Sequence, residues 1–198
     1  MNQRIIKIGV DLDGVIARHS LGGFWVILRK LKEKVLKTAR PANWYYPNAS
    51  LEKLAWRIIN WLRIPFADRD GFFASLAKEN KAKFYLVTSR FKFLEKLTTD
   101  WLEKHHLDKY FSGVLINNKD INPLIFKAKI INDWGIDCFI DDDIDVIDYL
   151  KKNTNAKLFW VVPGHKNKKD NNHHDVGSGD DFTDILRKLF PKVKPRTG

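Results

Sequence analysis

Cysteine is all but missing: the chain has one, Cys138, so no disulfide can form within it and a reducing compartment is the natural setting. Long apolar runs are missing too. None approaches the ~20 residues needed to span a bilayer, and Met1 to Lys7 leads into a strand without the regions of a signal peptide. The expectation is a soluble, cytoplasmic protein. No internal repeat is present, which excludes solenoids and propellers. Acidic residues are scarce at two places. Residues 18–66 hold two Glu against ten Lys/Arg, and residues 151–198 hold five Asp against eleven, whereas residues 67–150 hold fifteen acidic against twelve basic. The formal charge of +11 favours anionic partners: a small anionic substrate, nucleic acid or an anionic membrane surface. It does not choose between them, and a basic surface also serves solubility alone.

With 198 residues, 44% of them hydrophobic, and seven Trp, the chain can bury the core of one ordinary domain carrying a small insertion. Residues Ile5 to Val10 read as a buried strand. Helical spacing follows at Phe24, Leu28, Leu31 and Val35, then a loop around Trp44, Tyr45 and Tyr46, and a helix from Leu51 to about Leu62. In that helix Leu54, Trp56, Ile58, Ile59, Trp61 and Leu62 cover more than a narrow stripe, which predicts packing against more than one neighbour. Beyond Pro65 the pattern predicts a helix at 70–80, strands at 84–87, 113–116, 138–140 and 156–162, and helices at about 93–105, 124–134 and 144–151. Strands alternating with helices predict a Rossmann-like parallel sheet sandwiched between helices, with ligands beyond the carboxyl ends of the strands. Residues 163–181 are polar and Gly-rich, which predicts a mobile loop, and a short amphipathic helix follows to Phe190. His173-His174 in that loop lack spaced partners, so they are ordinary polar residues or at most a metal contact.

The chemistry concentrates where the first strand ends, at Asp11-Leu12-Asp13-Gly14. Two carboxylates at the edge of a buried strand repel each other and lose hydration, so they need cationic partners, of which a divalent metal is one. Asp11 can serve as a carboxylate nucleophile toward phosphorus, Asp13 as a proton donor, and Gly14 as a point of close backbone approach or positive φ. A second strand ends in Thr88-Ser89-Arg90, a third in Asp141-Asp142-Asp143, and lysines precede that third strand.

This order of motifs resembles the haloacid-dehalogenase-like superfamily of phosphohydrolases, over about residues 4–162. The resemblance implies a core of residues 1–17 and 81–162 and a helical cap at 18–80, with residues 163–198 appended. It implies a Mg²⁺-dependent phosphatase in which Asp11 is the nucleophile, Asp13 the general acid and base, and Thr88 with nearby N–H groups the holder of a phosphoryl oxygen. Lys127 binds phosphate and Asp11, and Lys129 and Lys119 are its competitors. The metal is held by Asp11, the Asp13 carbonyl and Asp142, with Asp141 and Asp145 as alternatives and Asp143 a helix-start residue. Gly14, Ser89, Arg90 and Trp44 are candidate substrate contacts, as are Arg18, His19 and Tyr45. The combination of Asp-x-Asp-Gly-Val, Thr-Ser and a small helical cap resembles deoxyribonucleotidase-like members, so a nucleotide is the leading substrate among small phosphate esters. Alternatives are a phosphatase of nucleic-acid ends or phospholipid headgroups, using the basic helix at 29–37 and the Trp/Arg mixture at 56–63, or a catalytically silent binding protein of the same fold. Phosphoryl transfer to another acceptor stays open, and Asp13 argues against a dehalogenase.

Overall fold

The computed structural model describes residues 4–19, 44–68, 71–162 and 176–193. β1 (Ile6–Val10) lies inside a six-stranded sheet, and β2 (Ala17–His19) pairs antiparallel with β3 (Arg63–Pro65) to form the two stems of an insertion that carries α1 (Ser50–Trp61). The chain continues through α2 (Phe72–Lys78), β4 (Ala82–Thr88), α3 (Glu95–Lys104), β5 (Gly113–Ile116), α4 (Pro123–Trp134), β6 (Cys138–Asp141), α5 (Ile144–Asn153), β7 (Lys157–Val161), β8 (Gly177–Gly179) and α6 (Phe182–Leu189). Neighbouring strands of the large sheet are parallel throughout, in the order β5-β4-β1-β6-β7-β8. This is the expected Rossmann-like α/β architecture. No helix among the described residues is long and apolar enough to cross a membrane.

Both faces of the sheet are buried, which is why its strands read as nearly unbroken apolar runs. β4 shows the alternation: Phe84 and Leu86 enter a core with Phe73, Trp101 and Phe182, while Tyr85 and Val87 enter a second core with Phe139, Ile147 and Leu150. Gly9 of β1 leaves room for the ring of Phe139 on the paired β6, where a Cβ would collide with it. Cys138 is buried in β6. After β5 the chain crosses to the other side of β1, and this reversal opens a crevice at the carboxyl ends of β1, β4 and β6.

Three expectations need correction. Phe72, Phe73 and Leu76 of α2 are fully buried in the core that covers the sheet, so this helix packs with the sheet rather than with the insertion expected to run to residue 80. Within the stretch expected as a loop, Gly177 to Gly179 form β8 against β7, since Gly177 has no Cβ to meet the Phe159 ring beside it. The apolar stripe of α1 also faces outward: Leu51, Leu54, Ile58 and Trp61 are 80%, 51%, 50% and 67% exposed, whereas Asn60 is buried and donates to the Trp56 carbonyl at 2.8 Å. The helix expected around Phe24 to Val35, the basic stretch 29–37, His173-His174 and the chain end from residue 194 lie outside the described residues.

Candidate active site

The site is built where β1 and β6 end side by side. Val10 is in register with Ile140, and the Asp11 N–H donates to the Ile140 carbonyl at 2.9 Å, so the ladder delivers Asp11 next to Asp141. From α4, Lys127 Nζ reaches Asp11 Oδ1 at 2.9 Å and Asp141 Oδ2 at 2.7 Å. Asn122 caps this helix by accepting from the Leu124 N–H, Pro123 takes the first position, and Lys127 enters from the second turn. Asp11, Asp141 and Lys127 are all buried. Of the competing lysines, Lys129 pairs with Asp133 at the surface and Lys119 is exposed.

Asp142 completes the acidic side. Its carboxylate lies over Gly14, whose φ of +87° belongs to the left-handed region and whose missing Cβ would fall on that carboxylate. Asp11, Asp141 and Asp142 each offer an oxygen within 4.8 Å of the others. Asp143 instead caps α5, accepting from the Asp145 N–H at 2.9 Å, and donates its own N–H to Asp141 Oδ1 at 3.0 Å. Asp145 thus lies in the first turn of α5. We expect Gly14→Ala to displace the Asp142 carboxylate and strain the turn, lowering turnover at least ~10-fold with an unfolding midpoint a few degrees lower. Steady-state rates and a thermal melt check this.

Burial pushes the Asp11 carboxyl up to about 7, with Lys127 opposing and the negative charges of Asp141 and Asp13 adding to the rise. Although Asp142 reaches solvent, desolvation of its carboxyl and then the charges of Asp141 and Asp11 hold it well above the ordinary carboxylate range. Lys127 moves upward: burial disfavours its charge, but Asp11 and Asp141 outweigh that. When all three clustered carboxyls are ionised, the one ammonium leaves about two unbalanced negative charges. An all-oxygen donor set of this charge fits a hard divalent cation such as Mg²⁺.

Asp13 faces a different environment. Arg90 donates to it through two nitrogens, Nε to Oδ2 at 2.8 Å and Nη2 to Oδ1 at 2.7 Å, and Arg63 Nη2 stands 3.3 Å from Oδ1. The remaining Arg90 nitrogen, Nη1, donates to Thr98 Oγ1 at 3.1 Å. Arg90, expected to touch substrate, is therefore engaged with Asp13. In the sequence Arg63 reads only as the end of the Trp/Arg mixture at 56–63, directed at a polyanion or bilayer; the structure places it at Asp13, and the one signal for that is a charged residue amid Trp61-Leu62 and Ile64-Pro65-Phe66.

Thr88 ends β4, one strand over from Asp11; it is buried, and its Oγ1 accepts from the Arg90 N–H at 3.3 Å. The neighbouring Ser89 Oγ is buried with no hydrogen-bond partner. The Trp44 indole N–H is likewise buried and unpartnered. Arg18 lies 3.9 Å from Asp181 and Tyr45 donates to Glu52 at 3.1 Å. His19 is described through its backbone alone, in β2.

No protein-family model and no curated protein matches the sequence. Solved structures do match the fold. A predicted phosphatase from Clostridium acetobutylicum aligns at 16% identity over 96% of this chain and 99% of that one, with a TM-score of 0.63. A protein named as a β-phosphoglucomutase from Thermotoga maritima aligns at 12% identity over 96% and 100%, with a TM-score of 0.64. A superfamily hydrolase from Ehrlichia chaffeensis aligns at 14% identity over 95% and 97%, with a TM-score of 0.55. At such identities the likeness is one of architecture: the chain has the α/β fold of these three solved structures.

Proposed function

We propose that the protein is a phosphomonoester hydrolase working through an aspartyl-phosphate, Mg²⁺-dependent, with a small phosphorylated substrate and a nucleotide as first choice. The observation that carries this reading is Lys127 bridging Asp11 and Asp141 beside Asp142, at the end of the strand that also presents Asp13. Asp11 attacks phosphorus, and the ester oxygen leaves with the proton of Asp13. Asp13 then takes a proton from water, which attacks the aspartyl-phosphate and frees phosphate. Lys127, Thr88 and Ser89 hold phosphoryl oxygens, and Lys127 also orients Asp11. Mg²⁺ held by Asp11, the Asp13 carbonyl and Asp142, when bound, neutralises phosphate charge and keeps Asp11 ionised. Trp44 is proposed to stack on the substrate from the insertion, read at 18–80 in the sequence and here proposed to end at about residue 68 because α2 packs on the sheet. The nucleotide choice rests on the likeness of Asp11-Leu12-Asp13-Gly14-Val15 and Thr88-Ser89 to deoxyribonucleotidase-like members.

A second reading, hydrolysis of phospholipid headgroup esters at an anionic bilayer, is favoured by the exposed stripe Leu51, Leu54, Ile58 and Trp61 with Lys53 and Arg57 along its border. One panel separates the readings: nucleotides, sugar phosphates and headgroup esters, free and in anionic vesicles, each with and without Mg²⁺. Metal-dependent release from soluble esters supports the first reading and vesicle-restricted release the second. No release from any of them overturns both in favour of a silent binding protein.

The raised Asp11 gives a pH test of the metal. Its folded pKa of about 7 exceeds the unfolded 3.8, so between these values the folded state binds more protons and stability falls as pH rises. Lys127 contributes nothing to the slope here, because its shift acts only above its ordinary range near 10.5. Without metal, the unfolding midpoint should therefore drop from pH 5 to pH 8. Adding Mg²⁺ should raise it, and more at pH 8 than at pH 5, since the ion competes with protons for the same carboxylates. A midpoint indifferent to Mg²⁺ at pH 8 would overturn the metal assignment.

A further inference from the structure

The insertion reaches into the site at Arg63. Arg63 opens β3 in the second stem, and its fork spans two points of the turn after β1: Nη2 stands 3.3 Å from Asp13 Oδ1, and Nη1 donates to the Ala17 carbonyl at 3.1 Å. Ala17 belongs to the first stem and closes that turn, since its carbonyl also accepts from the Gly14 N–H at 2.9 Å. The Arg63 backbone is tied down in turn, its carbonyl accepting from Trp101 Nε1 at 3.0 Å. Trp101 lies three residues from Thr98, which anchors Arg90, so one face of α3 supports both guanidiniums that meet Asp13. The arginine side chains are 8% and 3% exposed, the Asp13 side chain 31%.

Two buried guanidiniums on one carboxylate exceed what neutralisation requires, and desolvating the second one costs energy. What the second arginine adds is direction. Arg90, through paired hydrogen bonds, fixes the plane of the carboxylate. Arg63 contacts the same Oδ1 from another element and joins it to the stems. We propose that Arg63 is a positioning residue, fixing the place and plane of the Asp13 carboxyl group at the site and coupling them to the stems of the insertion. The proposal rests on the reading of Asp13 as the acid and base of a phosphatase.

The test compares two esters in Arg63→Met and Arg63→Lys protein, with thermal melts to verify folding. Arg63→Lys keeps the charge and lacks the fork, so it preserves the comparison if Arg63→Met does not fold. An alkyl phosphate needs a proton on its leaving oxygen, whereas nitrophenolate leaves without one. Turnover of the alkyl ester should fall roughly 10- to 100-fold, a part of the ~10²–10⁴ that a positioned acid supplies, with KM little changed. Release of nitrophenolate in the first turnover should change less than about twofold. Equal losses on both esters, or a loss confined to KM, would overturn the positioning role while leaving the phosphatase reading intact. A wild-type protein that cleaves neither ester would remove the phosphatase reading and this role with it.

Discussion

Asp11→Asn protein is expected to release no phosphate from any ester that the wild type cleaves, a loss of at least roughly 10³-fold, while melting at the same temperature or higher. The activity should vanish because an amide is too weak a nucleophile to form the acyl-phosphate. Stability should hold because Asp11 is an expensive residue: its carboxyl is raised to about 7 by burial and by Asp141 and Asp13, so removing its charge relieves crowding around Asp141 and leaves Lys127 a partner at 2.7 Å. These two readouts must separate. An inactive protein that also melts early would say only that the site was damaged, and near-normal turnover in folded Asp11→Asn protein would sink the covalent mechanism.

Lys127→Met should do the reverse in stability. Without the ammonium, Asp11 and Asp141 face each other buried and unpaired, and breaking such a pair costs about 3–5 kcal/mol. In a domain of this size each kcal/mol moves the midpoint by roughly 2–4 °C, so a fall of roughly 10 °C is expected without metal at pH 8. At pH 5 the fall should be smaller, since Asp11 can take up a proton in place of the lost cation. Melts at the two pH values check both statements, and an unchanged midpoint at pH 8 would mean that Lys127 does not carry the charge of the cluster. Methionine retains most of the stem, so a loss of packing against Phe139, whose ring centre lies 5.9 Å from Nζ, is minimised.

The placement of Asp11, Asp13, Thr88, Asp141 and Asp142 was legible because each closes an apolar run, and where a buried strand ends is a local property. Lys127 followed from the order of motifs, which left Lys129 and Lys119 as competitors; helical phase explains the outcome, since Leu124, Lys127, Ala128 and Ile131 share one face of α4 whereas Lys129 lies off it and pairs with Asp133. Periodicity told less about α1. It identified apolar positions at Leu54, Trp56, Ile58, Ile59, Trp61 and Leu62 but carries no information on what they meet, and Leu54, Ile58 and Trp61, with Leu51, face outward. The contact of Arg63 with Asp13 and the pairing of β8 were not legible at all. A partner fifty residues away in sequence, as Asp13 is from Arg63, leaves no local trace, and the Gly177–Gly179 strand is recruited by the room beside Phe159 rather than by its own side chains.

The lone thiol of the chain sits in β6, flanked by Ile8 of β1 and Lys157 of β7, and burial pushes its pKa to about 11. Alkylating reagents act on exposed thiolate, so Cys138 becomes reactive when these strands separate. The speed of its labelling in native buffer is thus a clock for the opening of the very strands that seat Asp11 and Asp141.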